Sequence, residues 1–260
     1  MAIHPTAIVS QQAEIASDAE IGAYAIIRGR AQIGSGTKVD PHAVIGNDDG
    51  IVKLGKNNRV HTGAVIGGPP QDLKYAGEPT QLEIGDNNTF REFVTINTGT
   101  VGGGGLTKIG NNNLLMAYVH IAHDCVLGNN IVVANTTNFA GHVTVEDSVR
   151  IGGVCSFNQF ITIGKFAYIA GDSAVNKDVL PFSQAQGKYA VVRATNKIGM
   201  ERAGFSQEDI DSVNRAIRFL IMGNRTIEEA LKQIDEKCNK SESTMHMVNF
   251  VKKSTRGIAK

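Results

Sequence analysis

The sequence predicts a mainly β protein, a parallel β-helix built from hexapeptide repeats and followed by a small C-terminal α-helical domain. An aliphatic or Phe residue recurs at every sixth position over most of the first 180 residues, and the pattern becomes helical after about Val179. Gly is abundant, with 29 residues, and Trp is absent. This composition favours closely stacked backbone over a bulky core.

The six-residue repeat occurs in two long runs. The first run holds one register at Ile3, Val9, Ile15, Ile21, Ile27, Ile33, Val39 and Ile45. The second run keeps the same step at Ile109, Leu115, Ile121, Leu127, Val133, Phe139, Val145, Ile151, Phe157, Ile163, Ile169 and Val175. Six residues fit one short strand and one tight turn, so three hexads complete a triangular coil, and coils stack at about the 4.8 Å spacing of strands. We therefore expect residues i and i+18 to lie above one another.

Two interruptions of the repeat are predicted to be loops inserted into the coil, at about residues 67–83 and 97–108. Loops that project from a rigid scaffold often carry function. The second loop contains four consecutive glycines, Gly102–Gly105, which is one feature of phosphate-binding loops. However, no Lys-Ser or Lys-Thr pair follows them and no βαβ unit surrounds them, so a flexible loop is the preferred interpretation.

Residues 1–180 are predicted to form the β-helix, and residues 181–260 the helical domain. Ser206 precedes a run of apolar residues at helical spacing, and Thr226–Glu229 is a capping box that starts a second helix. A third helix is predicted over Thr244–Lys253. We expect this domain to cover the open edge of the last coil.

Charge and composition exclude several classes of protein. The 26 Lys and Arg residues nearly balance the 25 Asp and Glu residues, which argues against a nucleic-acid-binding surface. No apolar run approaches the roughly 20 residues that span a bilayer, and the N-terminus does not resemble a signal peptide, so we expect a cytoplasmic protein without a transmembrane segment. Three cysteines without a Cys-x-x-Cys spacing indicate thiols in a reducing compartment.

The segment His120–Cys125 contains the strongest candidates for chemistry. Ile121 fixes its register, so His123 lies two places after a buried position. The i+18 rule then places Gly141 directly above His123, and Gln159 above Gly141. This stack would combine an imidazole base with a backbone N–H that can donate to a developing oxyanion.

The same rule places His142 over Asp124. One face thus gathers the side chains of His123, His142 and Gln159 and the backbone N–H of Gly141. One alternative is that they only hydrate the solenoid surface or line a subunit contact. Another is a catalytic zinc site, since three histidines on a similar coil can bind a zinc ion whose fourth coordination position is open to water. The odd spacing of His120 and His123 argues against zinc, because alternation along a strand would point their side chains apart.

Five segments carry a resemblance to a known family: Gln71–Thr80, Gly105–Lys108, His120–Cys125, Ala140–Val143 and Ser254–Gly257. They resemble the UDP-N-acetylglucosamine 3-O-acyltransferases of lipid A synthesis, and the likeness covers nearly the whole chain. The resemblance implies a coil that winds left-handed and a homotrimer with active sites between neighbouring coils. It also implies that no cofactor or metal is bound. The 3-hydroxyacyl group would arrive on the phosphopantetheine of acyl carrier protein.

The resemblance also assigns roles to individual residues. His123 would be the general base that takes the proton of the sugar 3-hydroxyl, Asp124 would orient its imidazole, and the Gly141 N–H would stabilise the oxyanion. The remaining assignments are contacts with substrate: sugar and phosphates with Asp72, Lys74 and His120; the cleft with His142 and Gln159; the nucleotide with Asn196 and Arg202; and the far end of the acyl groove with Gly171.

The chain departs from the family pattern at Asn97, Asn158, Ile198 and Ala203. Two of these positions, Ile198 and Ala203, belong to the nucleotide pocket, so acyl transfer is better supported than the identity of the acceptor. A sugar N-acyltransferase, acting on a 3-amino sugar nucleotide or at the later N-acylation step, remains an alternative, as does a non-catalytic scaffold. Candidates for docking the acidic carrier protein are basic residues of the helical domain: Arg215, Arg218, Lys252, Lys253 and Arg256.

Overall fold

The computed structural model describes residues 2–260 and shows a triangular coil with a parallel sheet on each face. Met1, the first residue of the predicted β-helix, lies outside the described residues. Each strand pairs with the strand one coil above, so Ile121 pairs with Phe139 and Phe139 with Phe157. The predicted i+18 stacking is therefore confirmed in this part of the coil.

Strands are numbered in chain order, and successive strands belong to successive faces. The first face contains β1 (Ala2–Ile3), β4 (Glu20–Ile21), β7 (Lys38–Val39), β10 (Arg59–Val60), β13 (Thr89–Phe90), β16 (Leu114–Leu115), β19 (Val132–Val133), β22 (Arg150–Ile151) and β25 (Tyr168–Ile169). The second contains β2 (Ile8–Val9), β5 (Ile26–Ile27), β8 (Val44–Ile45), β11 (Val65–Gly68), β14 (Thr95–Asn97), β17 (His120–Ile121), β20 (Asn138–Phe139), β23 (Ser156–Phe157) and β26 (Ala174–Val175). The third contains β3 (Glu14–Ile15), β6 (Arg30–Ile33), β9 (Ile51–Leu54), β12 (Gln81–Ile84), β15 (Leu106–Ile109), β18 (Val126–Leu127), β21 (Thr144–Val145) and β24 (Thr162–Ile163).

The core is the column of repeat residues that point to the coil axis. In β18, for example, Val126 is 42% exposed and Leu127 only 1% exposed, as the alternation of side chains along a strand requires. The Phe139 and Phe157 rings stack in the column with their centroids 4.6 Å apart. Burying this column supplies most of the apolar stabilisation of the coil.

A ladder of buried asparagines lies inside the edge between the third and first faces. We call Asn58, Asn88 and Asn113 the asparagine ladder. The Asn58 Oδ1 accepts the N–H of Asn88 at 2.9 Å, and the Asn88 Oδ1 accepts the N–H of Asn113 at 2.9 Å. The Asn88 side-chain amide also donates to the Gly110 carbonyl at 3.0 Å. Each buried amide is thus paired with neighbouring coils, as a buried polar group must be.

The chain leaves the regular coil after β11 and after β14, and it returns at β12 and β15, so the last residues of the predicted loops, 81–83 and 106–108, are strand. The second loop contains a single 3₁₀ turn, Val101–Gly103, which is capped by Thr100. The structure also has a third, shorter interruption that the repeat analysis missed, between Ile45 and the start of β9 at Ile51. There the Asn47 side chain organises a tight turn by accepting the Gly50 N–H.

The C-terminal part begins with a hairpin that the sequence analysis did not predict. Strands β27 (Ser183–Gly187) and β28 (Ala190–Thr195) pair antiparallel, and β27 also extends the first face beyond β25. The expectation that the chain turns helical directly after Val179 is therefore wrong for these residues. Their alternating buried and exposed side chains fit an added pair of strands against the end of the coil.

Four helices are present within residues 2–260: α1 (Lys197–Arg202), α2 (Gln207–Ile221), α3 (Ile227–Lys237) and α4 (Glu242–Lys253). The predicted starts are confirmed at Ser206, which caps α2, and at Thr226, whose capping box with Glu229 starts α3. The last helix begins two residues before the predicted Thr244 because Ser241 caps it. Among the described residues, no helix is long and apolar enough to cross a membrane.

Candidate active site

His123 and Asp124 form a buried hydrogen-bonded pair at the edge between the second and third faces. The His123 Nδ1 lies 2.7 Å from the Asp124 Oδ2, and the two side chains are 8% and 1% exposed. A carboxylate only accepts hydrogen bonds, so Nδ1 carries the imidazole proton and Nε2 keeps its lone pair. His123 is therefore set up to receive a proton through Nε2.

Gly141 lies directly against the His123 ring, as the stacking rule predicts. A Cβ atom at this position would be 2.5 Å from the His123 Cε1 and 2.8 Å from its Nε2. Real contacts are never this short, so any side chain at position 141 would displace the ring. Glycine here thus allows the backbone of one coil and the imidazole of the coil below to approach closely.

His142 completes the cluster from the coil above Asp124. Its Nε2 is 3.6 Å from the Asp124 Oδ2, its ring meets the His123 ring edge-on, and it stacks on Phe160 at 4.3 Å. Burial lowers the pKa of His142, although the negative charges of Asp124 and Asp72 partly oppose this effect. We expect a neutral imidazole at this position near pH 7.

His120 lies on β17, and its Nδ1 is 2.7 Å from the Thr95 hydroxyl. Burial lowers the pKa of His120, and the nearby His123 lowers it further. Among residues 2–260, the side chains close enough together to hold one metal ion are those of His123, Asp124 and His142. His120 is not part of this cluster. This set holds two histidines and a carboxylate, and the His123 Nδ1 already bonds to the Asp124 Oδ2, so it suits a proton-transfer pair better than the predicted alternative of a three-histidine zinc site.

The other predicted substrate contacts lie in the first loop and on the outer surface of the coil. Asp72 is half-buried and its carboxylate accepts the backbone N–H of Lys74, whose side chain is exposed. The negative charge of Asp72 opposes the lowering of the His142 pKa. Gln159 is exposed one coil above Gly141, so its amide is available to a ligand.

Asn196 and Arg202 are not brought to His123 within one chain. Asn196 caps α1 and its side-chain amide donates to the Phe166 carbonyl at 2.9 Å, at the edge between the third and first faces. Arg202 is exposed at the end of α1. Asn196 and the predicted base are thus at different edges of the β-helix.

Gly171 is exposed at the edge between the first and second faces, between β25 and β26. A Cβ atom there would be 3.3 Å from the Gly153 carbonyl oxygen, a tight contact that a small shift can relieve. Gly171 is not among the glycines with a left-handed backbone. The backbone at this position therefore accepts other residues, and the predicted role at the end of the acyl groove stays a prediction.

Three residues that the sequence analysis missed surround Asp124. Thr100 donates to the carboxylate from its backbone N–H and its hydroxyl, Gly103 lies over the carboxylate, and the Thr107 hydroxyl accepts the Asp124 N–H at 2.8 Å. All three belong to the second inserted loop or to β15, which follows it. The hexapeptide period carries no signal for Thr100 and Gly103 because the loop interrupts it, whereas Thr107 lies in register on β15 and could have been placed beneath Cys125.

Comparison with known proteins gives two family models and several solved structures. The model "UDP N-acetylglucosamine O-acyltransferase, domain 2" matches residues 178–259, and a bacterial transferase hexapeptide model with six repeats matches residues 106–141. The chain is 40% identical to a UDP-N-acetylglucosamine O-acyltransferase from Moraxella catarrhalis, over 100% of both chains, with a TM-score of 0.94. It is 39% identical to the acyltransferase from Campylobacter jejuni, over 99% of this chain and 98% of that one, with a TM-score of 0.90. The acyltransferase from Arabidopsis is 34% identical over 99% of this chain and 100% of that one, with a TM-score of 0.88.

Proposed function

Because the chain belongs to the family of UDP-N-acetylglucosamine O-acyltransferases, we propose that it transfers a 3-hydroxyacyl group to the 3-hydroxyl of UDP-N-acetylglucosamine, the first step of lipid A biosynthesis. The observation that carries the proposal is the buried His123–Asp124 pair beneath Gly141. A base, its orienting carboxylate and a backbone donor converge there within one stack of coils.

In the proposed mechanism, His123 Nε2 removes the proton of the sugar 3-hydroxyl as that oxygen attacks the thioester carbonyl. Asp124 stabilises the imidazolium that forms, through the 2.7 Å bond to Nδ1. The Gly141 N–H donates to the oxyanion of the tetrahedral intermediate. When the intermediate collapses, the C–S bond breaks and the proton on Nε2 passes to the departing thiolate, so no covalent acyl-enzyme forms.

The donor in this proposal is acyl carrier protein, which delivers the acyl group on its phosphopantetheine, and no cofactor is needed. Basic side chains of α2 and of the segment that follows it support a docking surface for an acidic partner. Arg215 and Arg218 of α2 and Arg225, which precedes α3, line one cleft of about 540 Å³. The predicted docking residues Lys252 and Lys253 belong to other clefts, and Arg256 is exposed, so the α2 cleft is our preferred site.

The acceptor site in this proposal is completed by a neighbouring copy of the chain in a homotrimer. Asn196 and Arg202 lie away from His123 in one chain, whereas a second copy packed side by side would bring its own α1 towards the site. Leu73 is fully exposed at the tip of the first loop and Phe160 is 52% exposed beside His142. Apolar side chains that protrude in this way are typical of surfaces that are covered in an assembly.

We place the reaction in the cytoplasm, where thiols stay reduced. Cys125, Cys155 and Cys238 are all free thiols. Burial raises the pKa of Cys125 to about 12, so this thiol beside Asp124 is not a nucleophile at neutral pH. This supports direct transfer through His123 over an acyl-cysteine intermediate.

One experiment tests the proposal against its alternatives. Purified enzyme is offered several 3-hydroxyacyl carrier protein thioesters, together with UDP-N-acetylglucosamine or its 3-amino analogue, and the products are analysed by mass spectrometry. We expect an ester of UDP-N-acetylglucosamine. Amide formation as the faster reaction would favour the sugar N-acyltransferase, and absence of any product would favour the scaffold. Exhaustive chelation in the same assay is expected to leave the rate unchanged, and rescue by added zinc would revive the zinc alternative.

A further inference from the structure

The Asp124 carboxylate has two imidazoles within reach. Its Oδ2 is 2.7 Å from the His123 Nδ1 and 3.6 Å from the His142 Nε2. A modest rotation of the carboxylate would exchange one partner for the other. Since only His123 lies against Gly141, the pairing of Asp124 decides which imidazole is oriented for proton transfer. Some other contact must hold the carboxylate in its present plane.

Thr100 supplies that contact from the second inserted loop. Its backbone N–H donates to the Asp124 Oδ1 at 2.8 Å, and its hydroxyl donates to Oδ2 at 2.7 Å. The same hydroxyl accepts the Gly103 N–H at 3.2 Å, which leaves its proton for the carboxylate. One residue thus binds both carboxylate oxygens, and two bonds fix a plane where one would leave rotation free.

The loop also closes the site around the carboxylate. A Cβ atom on Gly103 would be 2.1 Å from the Asp124 Cγ, so Gly103 lies too close to the carboxylate to leave space for a water molecule between them. The Asp124 side chain is 1% exposed. In such a buried site, a lost donor is not replaced by solvent, so without the Thr100 hydroxyl the carboxylate would be free to turn towards His142, whose Nε2 is 3.6 Å from Oδ2.

We propose that Thr100 is a positioning residue that keeps Asp124 paired with His123 and away from His142. This inference rests on the proposed function, in which His123 is the general base. In this proposal Thr100 acts through Asp124, to which its backbone N–H and its hydroxyl both donate. The second inserted loop therefore belongs to the catalytic apparatus, although it lies outside the hexapeptide repeat.

Thr100→Val tests the inference, because it removes the hydroxyl, keeps nearly the same shape and retains the backbone N–H. We expect kcat to fall about tenfold to a hundredfold, the factor that corresponds to losing one hydrogen bond to a charged group, while KM for the sugar nucleotide stays within about twofold. Thr100→Ser restores the hydroxyl and is expected to recover kcat to within about threefold of the parent.

Thr137→Val is the matched control. Thr137 is fully buried, and its hydroxyl also donates to one acceptor, the Gly152 carbonyl, and accepts one backbone N–H, that of Cys155. The Thr137→Val variant should lose about as much in melting temperature as Thr100→Val and should keep the kcat of the parent. Parent-like kcat in Thr100→Val, or equal losses in the Val and Ser variants, would contradict the inference.

A measurement without turnover separates this inference from the proposed function. In enzyme labelled with ¹⁵N-histidine, the His123 Nδ1–H bonded to a carboxylate should give a proton signal at low field, and its absence in His123→Ala assigns it. We expect Thr100→Val to shift this signal strongly and Thr137→Val to leave it in place. If His123→Ala keeps full activity, the general-base role of His123 in the proposed function fails, and the signal in Thr100→Val still decides whether Thr100 positions Asp124. An unchanged signal in that variant overturns the inference.

Discussion

Two edges of the coil share one backbone geometry and use it for different purposes. At the edge between the third and first faces, Asn57, Asn87 and Asn112 turn the corner with φ of 54° to 58°, each directly before a member of the asparagine ladder. At the edge between the second and third faces, Asp124 and His142 turn the corner with φ of 59° and 63°. We call the latter, with His123, the catalytic edge.

The edges differ in where their polar groups find partners. In the asparagine ladder, each amide points into the coil and bonds to the backbone of adjacent coils. At the catalytic edge, the buried corner position is apolar, as in Cys125 and Val143, and the polar groups pair with one another and with an inserted loop. We infer that the ladder contributes mainly stability, whereas the catalytic edge keeps a proton acceptor unsatisfied for substrate.

The largest effect that would separate the two edges is expected for His123→Ala. Turnover should fall by at least about a hundredfold, the usual range for loss of a general base, while the melting temperature stays close to that of the parent. Steady-state kinetics and thermal melting on the same preparations measure both quantities. Comparable turnover in the mutant would remove His123 from the mechanism and the chemical distinction between the edges.

Gly141→Ala should reach a similar loss by a different route. The added Cβ would collide with the His123 ring, and a misplacement of about 1 Å at a reacting group can cost roughly a hundredfold in rate. Gly141 does not have a left-handed backbone, so the loss should appear in kcat rather than in folding. Gly102→Ala is the control, because nothing lies within 4 Å of a Cβ at that position. A fully active Gly141→Ala enzyme would show that the ring has room to move.

The ladder should give the opposite result in the variant Asn88→Ala. Removing this side chain leaves the Asn113 N–H and the Gly110 carbonyl without their partners, so we expect a loss of about 2 kcal/mol in the free energy of unfolding and a drop of roughly 4 to 8 °C in melting temperature. The kcat of the folded enzyme should not change. Asn138→Ala, at an exposed asparagine on β20, is expected to change stability by less than about 0.5 kcal/mol. A kcat loss in Asn88→Ala would mean that the two edges are coupled.

The same contrast explains what could be predicted from the sequence. The left-handed parallel β-helix follows from a period and a resemblance, and the period also places Gly141 against His123 and His142 near Asp124. Thr100 could not be placed, because the number of residues between it and Asp124 depends on how the inserted loop folds. The hairpin of β27 and β28 was missed for a related reason, since its strands follow the end of the hexapeptide register and pair antiparallel. A period predicts contacts between coils and says nothing about segments that leave it.

The smallest expected effect concerns Gly171, which tests whether the acyl groove follows the regular coil or an irregular segment. Gly171→Met would place several heavy atoms on the outer surface, starting from a Cβ that lies 3.3 Å from the Gly153 carbonyl oxygen. The backbone at Gly171 is not left-handed, so the variant should fold, and its melting temperature should be measured first.

If the acyl chain ends at Gly171, the methionine side chain takes the place of its last carbons. Each methylene that fits in the groove contributes about 0.8 kcal/mol by burial, and forcing extra methylenes into filled space costs roughly 1 to 3 kcal/mol. Selectivity, measured as the ratio of kcat/KM values for a series of 3-hydroxyacyl carrier protein thioesters, should therefore move towards shorter chains by at least about tenfold. A stable variant with the chain-length preference of the parent would show that Gly171 is only a corner residue. The residue that ends the groove would then have to be sought elsewhere, on the regular coil or on an irregular segment.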